Sequence, residues 1–184
     1  SGTGGKITGG SGGLAGGVFV DEGTFTMNGG TISGNKANRY GGGVCMYNGT
    51  FQISGSPQIK ENTLAVATTA NNVYLYSGKT ITVTGALSDA ASIGVTTGVT
   101  PAEGTPVAIT SGLSENGNAN HFFIDNSAYT VALNDSSEAQ LELATPYDLW
   151  IAGTQVTSAN AGDLSVIDGV SGTASYDAAT NTLT

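Results

Sequence analysis

The sequence predicts an all-β fold, a right-handed parallel β-helix with about 26 residues per coil followed by a small C-terminal all-β appendage. Three observations carry that prediction. The stretch Gly41-Gly42-Gly43-Val44-Cys45-Met46-Tyr47-Asn48-Gly49-Thr50-Phe51-Gln52-Ile53-Ser54 repeats the pattern found 26 residues earlier over 16–28, and a looser third copy runs over 72–84. Within each copy, apolar residues alternate with polar ones in runs too short for a helix. Composition agrees: charged residues are 10% against a usual level of about 25%, Gly (29) is abundant, and helix signals are nearly absent.

Each copy offers three short apolar faces. The first has Val18 and Val20, Phe25 and Met27, and Ile32; the second has Val44 and Met46, Phe51 and Ile53, and Ile59; the third has Val73 and Leu75, then Ile81 and Val83. Residues two apart on a strand point the same way, so three strands joined by turns direct these side chains into one interior. A single coil cannot bury them. Coils stacked about 4.8 Å apart can, by setting Val on Val and Phe on Phe.

Taken in order, residues 1–17 read as the tail of a preceding coil, because Gly5-Lys6-Ile7-Thr8-Gly9-Gly10 parallels Gly30-Thr31-Ile32-Ser33-Gly34-Asn35. The chain is therefore expected to be a piece of a longer repeat array. Coils follow over 18–43, 44–72 and 73–97. An extra residue before Ile59, near Pro57, and two more between Lys60 and Asn72 are expected at corners. Asn35 and Asn62 each stand three residues past an inward Ile, which predicts a ladder of stacked side-chain amides at that corner. After 97 the register weakens, and degenerate coils are expected to run to 143. Strand-like runs recur there at 106–109, 121–124, 129–133 and 140–143 and are too short to build a core alone. Thr145-Pro146 breaks the pattern, and 144–184 reads as a small β module that the chain end cuts short.

Net charge is −9, unevenly spread: Lys6, Lys36, Arg39, Lys60 and Lys79 are all the cations, and ten of the fourteen acids lie from Glu103 onward. No cluster of Lys and Arg exists for nucleic acid or an anionic membrane, so neither is an expected partner. No run is apolar enough for membrane insertion. Cys45 is the single cysteine, which rules out an internal disulfide.

Catalytic equipment is not expected. Lyase chemistry needs a base beside an acidic cation site, and the only arginine, Arg39, has no acid near it in sequence. Hydrolysis needs carboxylates on neighbouring strands, but Asp21 aligns with Tyr47 and Tyr76, and Glu22 with Asn48 and Ser77. His121 has no ligand-spaced partner, so no metal is expected, and Asp163, Asp168 and Asp177 read as turn formers rather than calcium ligands. No cofactor is implied. The candidate ligand-binding residues are instead Phe19, Tyr47, Tyr74 and Tyr76. If Val18, Val44 and Val73 point inward, Phe19, Cys45 and Tyr74 form one outward row and Asp21, Tyr47 and Tyr76 the next, a set of rings able to stack on sugars or on a partner protein. Cys45 in that row reads as a packing residue. A second outward set, Thr24 and Thr26, Thr50 and Gln52, and Thr80, Thr82 and Thr84, is similar to the Thr arrays of ice-binding solenoids, although Thr is also the common solvent-facing strand residue.

The run from Gly41 to Phe51, with Gly23-Thr24-Phe25-Thr26-Met27-Asn28-Gly29-Gly30-Thr31-Ile32-Ser33-Gly34-Asn35, resembles the repeats of large secreted or surface-anchored β-helix proteins of Gram-positive, often gut-dwelling, bacteria. It is similar, more loosely, to the repeats of polymorphic outer-membrane adhesins. Over 150–157 and 175–184 the chain looks like a module that recurs beside such repeats. The resemblance implies an extracellular, secreted or cell-surface location. It also implies a non-catalytic spacer or adhesin-like role, with a host or cell-wall glycan or a host surface protein as partner; the alternative is a carbohydrate-binding module using the outward rings.

Overall fold

A computed structural model describes residues 4–66 and 68–184; Ser1, Gly2 and Thr3, the start of the expected partial coil, lie outside the described residues. Parallel strands stack into a β-solenoid of about four turns. Its three faces carry the inward residues in register. On the first face Val18 pairs with Val44, Val44 with Val73, Val73 with Val95 and Val95 with Ile124. On the second, Phe25 stacks on Phe51 with ring centroids 5.2 Å apart and planes 17° from parallel, and Phe51 pairs with Ile81. On the third, Ile7, Ile32, Ile59, Ile93 and Phe122 follow one another. From Ile32 onward this column is buried, and all three columns meet in one apolar cluster. Alternation at period two thus decides which side chains are inside, and stacking supplies the area that makes burial favourable.

The extra residue of the second coil lies earlier than Pro57. Thr50–Ile59 pairs with Thr24–Ile32 residue for residue up to Met27 and Ile53, then shifts so that Gly29 faces Ser56. Gly55, at φ +66°, forms the bulge, a left-handed conformation that costs glycine little. The two residues added after Lys60 make a small excursion in which the Leu64 N–H donates to the Thr69 carbonyl and Thr63 bridges Ala70.

The expected amide ladder is present and longer than the two Asn predicted. Asn35 Nδ2 donates to Asn62 Oδ1 at 2.9 Å, and Asn62 Nδ2 to Asn72 Oδ1 at 3.0 Å. The backbone N–H groups of Asn35 and Asn62 donate to the same two oxygens. Asn62 Nδ2 also serves the Ile32 and Lys60 carbonyls. All three Asn are buried, and every rung is satisfied, as a dry interior requires.

Two expectations need correction. The coil assigned to 73–97 does not close at 97. In the strand Ser92–Thr97, Ile93 already stands on Ile59 while Val95 stands on Val73, so one strand serves the third face and the next first face. Only Gly94 separates them, against the long corner between Ile59 and Val73, so the Asn corner is omitted from this coil. The parallel stacking also stops before 143. Thr110–Ser111 and Phe122–Ile124 do continue it, but Tyr129–Leu133 and Ala139–Leu143 pair antiparallel, joined by Val107–Ala108 on the outer edge. The Asn134 side chain accepts from the N–H groups of Ser136 and Glu138, and Ser137 takes φ +59°. This tight turn returns the chain on itself and leaves no length for a crossover. Ala139 and Leu141 from the hairpin join the main core, so the hairpin covers the last coil as a terminal cap does in a repeat protein.

Beyond Ala144, Pro146–Ile151 and Thr154–Thr157 form a hairpin turning at Ala152 and Gly153, both at positive φ. Tyr176–Asp177 pairs with Thr182–Leu183. Val156, Ala161, Leu164 and Ile167 make a second core, bordered by Tyr147, Leu149 and Tyr176, that shares no residue with the first. Among the described residues no helix is long and apolar enough to cross a membrane.

Candidate functional site

The first face of the solenoid turns every second side chain outward, and there the rings gather. Phe19 pairs with Cys45 and Cys45 with Tyr74. Beyond them the Tyr47 N–H donates to the Val20 carbonyl and the Tyr76 N–H to the Met46 carbonyl, which sets Tyr47 and Tyr76 in adjacent coils. The rings of Phe19 and Tyr47 lie 6.0 Å apart, those of Tyr47 and Tyr76 4.6 Å, and those of Tyr74 and Tyr76 5.6 Å. All four sequence-predicted residues therefore share one patch.

A fifth ring, Tyr40, completes it and was not singled out from the sequence. Its centroid is 4.7 Å from Tyr74 and 5.5 Å from Tyr76. Tyr40 sits in a corner loop rather than on a strand, so alternation says nothing of where it points. The loop folds back at Gly41 onto the backbone of Val44 and Cys45. Cys45, outward by register, is consequently buried, and burial pushes its thiol up to about 11. It is a packing residue without the thiolate character a nucleophile needs.

Tyr76 is the hub of the patch, lying at 74–76° to the planes of Tyr40, Tyr47 and Tyr74. Edge-to-face contact of this kind suits the ring quadrupoles. A hydrogen bond with Tyr40 and loss of water push the Tyr76 phenol up to about 12; burial, then the neighbouring Tyr40 and Cys45, raise Tyr74 as well. Both are neutral at any physiological pH. The patch is closed at one end and open at the other: Tyr40, Tyr74 and Tyr76 are half-buried, whereas Phe19 is 42% and Tyr47 44% exposed. Asp21, Glu22 and Asn48 are exposed at that open end, and Lys79 Nζ donates to the Asn48 carbonyl at 2.8 Å.

The other candidates resolve into structural roles. Asp163 Oδ1 accepts from the Ser165 N–H and hydroxyl, and Asp177 Oδ1 from the N–H groups of Ala179 and Thr180. These bonds, led in each case by a side-chain hydroxyl, hold both carboxyls below their ordinary range. His121 is buried at the end of a short turn of 3₁₀ helix before Phe122. The Thr set does face outward in rows, Thr24 beside Thr50 and Thr26 beside Gln52 beside Thr82 beside Ser111. Its polar groups bond one another, as in Thr26 to Gln52 at 3.4 Å and Ser111 to Thr82 at 3.3 Å. Among the described residues no three His, Cys, Asp or Glu side chains gather into a metal-holding group. Open hollows of about 470 and 500 Å³ lie beside Glu103 and Glu142 and beside Asp163. Glu142 accepts from Gln140 at 2.6 Å.

One carboxylate missed by the sequence reading is Asp125. It reaches back over Gly94 to end the amide ladder, accepting from Asn72 Nδ2, the Asn72 N–H and the Thr96 hydroxyl. Burial raises its pKa against the lowering by those bonds. Nothing local in its surroundings signals a partner 53 residues away. Compared with known proteins, the chain matches no family model, no curated protein and no solved structure.

Proposed function

We propose that this chain is a non-catalytic, rigid spacer or adhesin-like stalk segment of a secreted or cell-surface bacterial protein. The observation that supports the reading is the continuous column of satisfied amides, Asn35 to Asn62 to Asn72, running beside three columns of registered apolar side chains. Backbone pairing and packing tie the coils together, and where Asn35 of one coil meets Asn62 of the next a side-chain amide ties them as well. Such stacking gives length and stiffness without a dedicated pocket, and the repeats resemble those of bacterial surface proteins. The test is protease shaving of intact cells of the bacterium that carries the chain. Peptides from 18–64 should be released without lysis, and recovery of those peptides from the cytosolic fraction alone would overturn the assignment. Incubation with pectin, polygalacturonate and mixed host glycans, with and without calcium, should release no reducing ends or unsaturated products.

A further inference from the structure

The two open rings of the aromatic patch differ from the three closed ones in what they can still touch. Tyr40, Tyr74 and Tyr76 spend their faces and edges on each other. Phe19 and Tyr47 stand in neighbouring coils with 36° between their planes, each over two-fifths exposed. Tyr76, from the next coil, packs edge to face against Tyr47 at 4.6 Å, so that ring is held before any partner arrives and little rotamer freedom is lost on contact.

The chemistry around the pair selects its partner. The face of an aromatic ring is electron-rich and complements the C–H face of a pyranose. Asp21, Glu22 and Asn48, exposed on the strand end and turn that follow, offer acceptors to sugar hydroxyls. Lys79 Nζ stands at Asn48, donating to its carbonyl at 2.8 Å, so the rim carries both signs of charge and neither a polyanion nor a polycation is favoured. The surface is a ridge on a flat sheet. A protein partner would need a central pocket ringed by groups that exclude water, whereas a sugar needs only an open ring and hydroxyl partners beside it. We infer that Phe19 and Tyr47 form a stacking platform for a neutral hexopyranose polymer lying along the solenoid axis, with Asp21, Glu22 and Asn48 as its hydrogen-bonding rim. This goes beyond the spacer reading and does not depend on it.

The experiment is affinity electrophoresis of the whole chain through gels containing mannan, galactan, mixed-linkage β-glucan or polygalacturonate. At least one neutral polymer should slow the protein, independently of added salt. The double variant Phe19→Ala, Tyr47→Ala should bind about tenfold more weakly, the scale of two lost aromatic contacts, and Tyr47→Phe should bind like the parent. Nitration of the unaltered protein supplies a readout free of folding artefacts: the polymer should protect Tyr47 and leave Tyr147 unchanged. The inference is overturned if no neutral polymer slows the chain, if retardation survives the double substitution, if only polygalacturonate acts and salt abolishes it, or if Tyr47 is nitrated at the same rate with and without polymer.

Discussion

Asn72 Nδ2 donates to Asp125 Oδ1 at 2.5 Å while the Asn72 N–H donates to Asp125 Oδ2 at 2.7 Å, so a single carboxylate closes the amide ladder. A ladder of amides ends with unserved donors unless something accepts them. Asp125 does so from the outward side of the solenoid, at the coil where the Asn corner is left out.

The pH response of that closure has a definite sign. Burial holds the folded Asp125 carboxyl above its ordinary value, so the protonated form is favoured by folding. Its contribution to stability is complete below the unfolded value of about 3.9 and is lost as pH rises through the folded value. Asp125→Asn keeps an amide oxygen for Asn72 and removes the titration. The melting temperature of this variant minus that of the parent should therefore grow as pH rises from 3 to 8, as read by circular dichroism. A difference that shrinks over this range would contradict the assignment.

Gly94 lies between Asn72 and Asp125. A Cβ there would stand 2.7 Å from Asp125 Oδ1, 2.8 Å from the Phe123 ring and closer still to Asn72 Nδ2. Gly94→Ala should destabilise by about 1–3 kcal/mol, the usual cost of overpacking. Hydrogen exchange at the Asn72 amide should accelerate along with it. Unchanged exchange there would separate Gly94 from the ladder.

Removal of an inner rung costs more than removal of an exposed amide. Asn62→Ala strips partners from the Asn35 N–H and the Lys60 carbonyl and leaves the Ile32 carbonyl with the Lys60 N–H alone, and each buried orphan costs about 1–3 kcal/mol. Denaturant unfolding should show a loss of about 3 kcal/mol or more. Asn48→Ala, on an exposed turn, serves as control and should stay within about 0.5 kcal/mol of the parent.

Phe51→Asp tests the stacking register. The new carboxylate would lie between Phe25 and Ile81 with no donor available from its own face. The loss should exceed about 4 kcal/mol, and an unaltered melting temperature would sink the register.

The repeat, read with the period-two rule, was enough to place the inward columns from Val18 to Val83, the outward rings Phe19, Tyr47, Tyr74 and Tyr76, and the Asn35 and Asn62 rungs. Each follows from strand geometry over a few residues, and stacking merely copies it from coil to coil. What the tertiary structure alone decided lies where copying fails. Tyr40 joins the rings through a corner loop. The single-residue link at Gly94 drops a corner and exposes the ladder's end, and Asp125 meets that end from two coils' worth of chain away. The turn at Asn134 converts parallel coils into an antiparallel cap. In each case the residue's local pattern is compatible with several placements. The choice among them is made by which buried donors, acceptors and apolar side chains the last coils leave to be covered.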